Sequence, residues 1–210
     1  MHEYIFLLPI FLFLLLGVMS PGPSFILVAQ TAMAKSRAEA IAVSVGMGAG
    51  ATIFAVIASV GLFVLLDTVP WFYIGLKVAG GSYLCFLAFK MWRSSNESLE
   101  TKSDSTKTNN GALRMFFTGL FTQLSNPKTA IVFGSVFAAF LPKYIPEYSY
   151  YLIIVSTFLI DTIWYVLVAT LLSTSKAQKS YVKFKKYICR TAGTFMGVLG
   201  IKLIFIQQLP

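Results

Sequence analysis

Leu14-Leu15-Leu16-Gly17-Val18-Met19-Ser20-Pro21-Gly22-Pro23-Ser24-Phe25-Ile26-Leu27-Val28 is an apolar run interrupted by two prolines around a glycine. About half the chain later comes Gly119-Leu120-Phe121-Thr122-Gln123-Leu124-Ser125-Asn126-Pro127-Lys128-Thr129-Ala130-Ile131-Val132, interrupted by one proline behind an asparagine. A proline inside a helix removes a backbone N–H and clashes with the preceding turn. It also pushes the residue before it toward extended geometry. Lipid satisfies no backbone group, so a helix broken inside a bilayer must turn its break toward protein, water or a ligand. Paired breaks at corresponding places in two halves point to a transporter binding site.

The composition places both runs in a membrane. Of 210 residues, 57% are hydrophobic and 12% charged, and the mean hydropathy is +0.75. Soluble domains carry roughly 25% charged residues. Apolar stretches of ~20 residues recur, the length a helix needs to cross a bilayer. Six spans are predicted, at 4–33, 42–66, 70–92, 114–141, 148–172 and 189–207. The first is longer than a crossing requires, which a broken and tilted helix explains. The start reads as an uncleaved membrane helix, because no Lys or Arg precedes it and no A-x-A site follows.

The net charge of +9 does not indicate nucleic-acid binding, since no recognition module is present. The basic residues sort by loop instead. Lys35 and Arg37 lie between spans one and two. Lys90, Arg93, Lys102, Lys107 and Arg114 lie between three and four, and Lys176, Lys179, Lys183, Lys185, Lys186 and Arg190 between five and six. These are 13 of the 17 basic residues, all on one face of the membrane. That face is cytoplasmic by the positive-inside pattern, with both termini outside. A re-entrant first span would place the N-terminus inside instead.

Polar, low-complexity sequence from Ser94 to Asn110 separates two halves. The predicted organisation is a three-helix repeat over 1–93, a cytoplasmic linker over 94–113 and a second three-helix repeat over 114–210. An odd number of spans per half inverts one half relative to the other. Weak internal matches run in the same order. Lys77-Val78-Ala79-Gly80 aligns with Arg190-Thr191-Ala192-Gly193, and Val43-Ser44 with Val155-Ser156. The predicted fold is therefore an all-α membrane protein, six transmembrane helices in an inverted 3+3 repeat, with helices one and four broken at proline near the midplane.

Ser20 and Asn126 are both good N-cap residues, and proline suits the first helical position. New half-helices should begin at Pro21 or Pro23 and at Pro127. Their N-termini would offer free N–H groups and partial positive charge to an anion such as a carboxylate. Gly22 permits close backbone approach. Asp161 lies mid-way along span five. A carboxylate at that depth costs at least ~2.5–3.5 kcal/mol and usually marks a pathway or proton relay. It can carry a proton, hold a substrate ammonium or pair with Lys128. The candidate site is Ser20, Pro21, Gly22, Pro23, Asn126, Pro127, Lys128 and Asp161. Gly46, Gly48 and Gly50, with Gly80, Gly193 and Gly197, read as positions of close helix packing.

Other chemistry finds little support. Cys85 and Cys189 both lie in apolar spans, and the only histidine is His2, so no metal site or cofactor is expected. An intramembrane enzyme would need Lys128 as base to Ser20, Ser24 or Ser125, in the absence of any intramembrane histidine. A channel would call for a carbonyl filter or a ring of charge, and neither is evident. The glycine stripes permit a homodimer and equally a packed monomer.

Ser20-Pro21-Gly22-Pro23 and Asn126-Pro127-Lys128 resemble the signature pair of the LysE/RhtB family of bacterial amino-acid exporters. Gly46-x-Gly48-x-Gly50, Leu76-Lys77-x-x-Gly80-x-x-Tyr83-Leu84 and Asp161-x-x-Trp164 fit the same family in the same order. The resemblance covers nearly the whole chain. It implies a multi-pass transporter of the bacterial inner membrane that exports an amino acid or close derivative, driven by protons. It further implies that Ser20 to Pro23 and Asn126 to Lys128 line the substrate path, with Asp161 the proton-coupling or ammonium-binding acid. No residue selects among lysine, homoserine, threonine or leucine.

Overall fold

The computed structural model describes residues 4–20, 22–68, 70–94, 111–142 and 145–205. Every regular element among them is a helix: α1 (Leu7–Met19), α2 (Pro23–Ala34), α3 (Arg37–Thr68), α4 (Pro70–Ser94), α5 (Ala112–Leu124), α6 (Pro127–Phe140), α7 (Glu147–Leu172) and α8 (Ser175–Phe205). Most of the predicted linker, residues 95–110, lies outside the described residues, as does Pro21.

Local chemistry sets several of the boundaries. Before α3, the Ser36 side chain accepts from the Glu39 N–H at 3.2 Å, and Glu39 accepts in return from the Ser36 N–H at 3.1 Å. This reciprocal box satisfies two orphan donors and starts the helix at Arg37, five residues before the apolar span predicted from 42. α6 starts on Pro127 behind Asn126, whose side-chain oxygen accepts from the Lys128 N–H at 3.0 Å. α2 starts on Pro23 behind Gly22 and has no side-chain cap. Ser20 is therefore not the N-cap expected of it. It closes α1 with an extended backbone (φ −68°, ψ 124°), and its N–H bonds back to the Gly17 oxygen. With Pro23 in the first helical position, the capping place falls to Gly22.

A larger difference concerns α8. Its apolar span was predicted from 189, yet the helix begins at Ser175. Residues 175–192 contain no Gly or Pro and include five Lys, a good helix former. The basic loop predicted between spans five and six is thus the first four turns of α8, ~21 Å at 1.5 Å per residue.

Among the described residues, two stretches are by length and composition able to cross a membrane, Arg37–Val60 of α3 and the whole of α7. The pair α1 and α2, bent by 54° at its break, makes a third if counted as one span. α3 packs against α5 on one side and α7 on the other, while α4 packs along α8. Large apolar side chains cover the outer surface, among them Leu8, Phe121, Ile163 and Phe205. So broad an exposed apolar surface is that of a membrane protein.

Among the described residues, the interior has two apolar clusters. One gathers Leu7, Ile10 and Leu14 of α1 with Val136 and Phe137 of α6, Ile153 of α7 and Leu199 of α8. The other gathers Phe25 and Val28 of α2 with Val43 and Met47 of α3 and Tyr165 and Val168 of α7. Between them the chain buries a layer of polar side chains.

Candidate functional site

That polar layer forms where α1 ends, α2 and α6 begin, and α5 and α7 pass alongside. Ser20, Ser24, Gln123, Asn126 and Asp161 are each at most 4% exposed. Buried polar groups demand partners, and here a directed chain supplies them. The Asn126 amide donates to Ser24 Oγ at 2.9 Å. The Ser24 hydroxyl donates to Gln123 Oε1 at 2.6 Å. Gln123 Nε2 donates to Asp161 Oδ1 at 3.0 Å. The chain thus links α2, α5 and the start of α6 to a carboxylate in the middle of α7.

Lys128 adds a second tie between the two breaks. Its ammonium donates to the Ser20 carbonyl oxygen at 2.6 Å. This carbonyl lies just beyond the C-terminus of α1, where a cation is favoured by the helix dipole. A Cβ on Gly22 would lie 3.3 Å from Lys128 Cδ and 3.4 Å from its Nζ, so the lysine stem runs closely over the glycine.

The groups surround a cavity lined by Ser20, Gly22, Ser24, Gln123, Asn126, Lys128, Thr129, Asp161 and Tyr165, with Leu14, Gly17, Val18, Phe25, Val132 and Phe133 as apolar walls. The space open to water-sized occupants is about 20 Å³. That holds a water and is far too small for an amino acid. The polar layer is flanked by the two apolar clusters.

Of the residues singled out from sequence, Ser20, Gly22, Asn126, Lys128 and Asp161 face this one cavity. Pro23 and Pro127 stand at the first positions of α2 and α6 and do not line it. Sequence reasoning overlooked Gln123 and Tyr165 and considered Ser24 only as a nucleophile. Each carried a signal. Gln123 is a lone amide in an apolar helix, and Tyr165 stands four residues after Asp161 on the same helix face.

The glycines divide by the neighbour they meet. A Cβ on Gly46 would strike the Phe116 carbonyl oxygen of α5, and one on Gly50 would lie 2.8 Å from Gln123 Cβ. Gly48 faces Thr162 of α7. Gly193 lies against Trp92 and Ala88 of α4, and Gly197 against Ala88. Gly80 lies within α4. Gly50 is therefore the glycine that lets Gln123 reach its place between Ser24 and Asp161.

Gln123→Met keeps the length of this side chain and removes both of its hydrogen bonds. Ser24 and Asp161 then each lose a buried partner, at about 1–3 kcal/mol per orphaned group. Thermal unfolding of the purified variant should show a clear loss of stability. An unchanged midpoint would mean that the chain of bonds carries no stabilising weight.

The sequence as a whole has known counterparts. A threonine efflux protein of Salmonella typhi is 33% identical over 191 residues, covering 90% of this chain and 93% of that protein. A threonine efflux protein of Escherichia coli (strain K12) is 31% identical over 196 residues, again with 90% and 93% covered. A homoserine/homoserine lactone efflux protein of Salmonella typhi is 27% identical over 186 residues, covering 88% of this chain and 89% of that protein. No solved structure matches the chain. The family model for LysE type translocators matches residues 15–207, a stretch that includes both proline interruptions, the polar layer they frame and Asp161. The chain belongs to the LysE type translocator family.

Proposed function

We propose that the protein exports an amino acid or close derivative from the cytoplasm by alternating access. The observation that carries this reading is the buried polar layer flanked by two apolar clusters, with one carboxylate, one ammonium and two helix N-termini on a single cavity. A zwitterion is complementary to that set. Its ammonium would sit on Asp161, and its carboxylate on the N-terminal turns of α2 and α6 beside Lys128. A small cavity flanked by apolar clusters fits a transporter that opens alternately better than it fits a standing pore.

In this reading α1 with α2 and α5 with α6 are two broken membrane spans whose breaks meet near the midplane. With α3, α4, α7 and α8 they make six spans, three in residues 1–93 and three in 114–210, related as inverted repeats across the 94–113 linker. The basic N-terminal end of α8 joins the other basic segments on the cytoplasmic face of the bacterial inner membrane. Asp161 couples export to protons, releasing one when the substrate ammonium takes its place. The relatives are named for threonine and for homoserine or its lactone. Small hydroxylated amino acids are accordingly the first substrates to try.

The test is efflux from proteoliposomes preloaded with labelled threonine, homoserine, leucine or lysine, with and without a proton gradient. Saturable, gradient-dependent efflux of a subset supports the proposal and names the substrate class. Efflux that ignores the gradient removes the proton from it. No efflux of any of these from folded protein overturns the amino-acid assignment and turns attention to another small solute.

A further inference from the structure

Most helical Ser and Thr hydroxyls in this protein satisfy themselves on their own helix. Thr31, Ser44, Thr52 and Ser59 each donate to the carbonyl four residues earlier, at 2.7–2.8 Å. Among the described residues, Ser135 of α6 and Ser149, Thr157 and Thr162 of α7 do not. Ser149 Oγ and Thr157 Oγ1 have no hydrogen-bond partner among the described residues, although both residues are 0% exposed. An orphaned buried hydroxyl costs about 1–3 kcal/mol, so its presence calls for a reason. Both lie on the helix face that carries the site. Ser149, Ile153, Thr157, Asp161 and Tyr165 follow one another at four-residue intervals, and all five are buried. At 1.5 Å per residue, Thr157 stands ~6 Å and Ser149 ~18 Å from the level of Asp161. The other orphaned groups of α7, on Thr162 and Trp164, belong to half-buried residues away from this face.

α1 is the neighbour suited to cover this face. It packs against α7. Its buried Leu7, Ile10 and Leu14 share one apolar cluster with Ile153. α1 is also a short, separate helix that ends at the extended backbone of Ser20 and Gly22. One tie that holds its end in place is the bond from Lys128 to the Ser20 oxygen.

We infer that the outward access route to the cavity runs along α7 past Thr157 and Ser149, and that α1 is the wall that swings aside to open it. The two hydroxyls are unpartnered here because their partners are the water and solute of the open state. Closing α1 replaces that water with an apolar stripe, and their desolvation cost keeps the closed state from becoming too stable to open. The inference rests on the transporter reading, since a route needs a site to serve. Its first test, by labelling, requires neither the substrate nor the proton.

Thr157→Cys and Ser149→Cys should be treated in intact cells with a membrane-impermeant, cationic methanethiosulfonate reagent, and labelling read for each cysteine by peptide mass spectrometry. The native Cys85 and Cys189 then stay in place. Val155→Cys and Leu159→Cys, at similar depth on the exposed apolar side of α7, serve as references. Both hydroxyl-face cysteines should label from outside about tenfold or more faster than the references, because only a hydrated thiol ionises and reacts. Labelling of Thr157→Cys no faster than the references, or only from the cytoplasmic side, overturns the route. Thr157→Val gives a second measure. It removes an unpartnered hydroxyl, so the folded protein should be no less stable, while substrate efflux slows. Wild-type efflux in that variant would overturn the role of the hydroxyl.

Discussion

Asp161→Asn should abolish gradient-driven efflux while leaving the protein inserted, folded and about as stable as the parent. The substitution is nearly isosteric, and an asparagine oxygen can still accept from Gln123 Nε2, which now donates to Asp161 Oδ1 at 3.0 Å. Only the negative charge and the ability to exchange a proton are lost. If the substrate ammonium rests on this carboxylate in a desolvated cavity, removing one member of the pair costs about 3–5 kcal/mol, a factor of roughly 10²–10⁴ in binding. Efflux from proteoliposomes reports the first effect, and a thermal unfolding curve of the same preparation reports the second. Coupled efflux near the parent rate would remove Asp161 from the mechanism. Loss of folding together with efflux would make it a structural residue instead.

The second large effect concerns packing. Gly46→Val should lower the yield of folded protein sharply and reduce its thermal stability. A Cβ at Gly46 would collide with the Phe116 carbonyl oxygen and come within 2.9 Å of the Leu120 nitrogen, both of them backbone atoms of α5. Backbone cannot rotate out of the way as a side chain can. The contact is glycine on both helices, since a Cβ at Gly119 of α5 would strike the Val43 carbonyl oxygen of α3. Overpacking typically costs about 1–3 kcal/mol and more where the backbone must shift. Forcing α3 and α5 apart also displaces Gln123, so any protein that does fold should export poorly. Gly134→Ala is the control. Nothing lies within 4 Å of a Cβ there, and alanine favours a helix over glycine by about 0.8–1 kcal/mol. Equal behaviour of the two variants would mean that the α3–α5 approach is looser than described.

These two residues differ in how far the sequence revealed them. Asp161 announces itself because a carboxylate in an apolar run has few bland explanations. Gly46 reads only as one glycine of a small-residue stripe, and a stripe does not say which helix it meets. Gly46 and Gly50 face α5, whereas Gly48, two residues away and so on another side of the helix, faces α7. Gln123 was missed for a related reason. A single amide in an apolar helix gains meaning only when its partners are known, and those come from α2 and α7. The early start of α8 escaped because membrane hydropathy marks the apolar part of a helix and is blind to a polar extension that stays helical in water.

What the sequence determined by itself was local and one-dimensional. Apolar runs demand helices in lipid, prolines end them, and Asn126 followed by Pro127 contains the complete chemistry of a helix start. An all-helical membrane protein with a titratable group among its apolar runs was therefore legible, as was the family. The tertiary structure decided what depends on distant residues coming together. It made Gly22 rather than Ser20 the N-cap of α2. It set Lys128 on the Ser20 carbonyl and Gln123 on Asp161. It left the buried hydroxyls of Thr157 and Ser149 without a hydrogen-bond partner among the described residues. A helix propensity is written in neighbouring residues, but a hydrogen bond between positions 24 and 123 exists only once packing has chosen which faces meet.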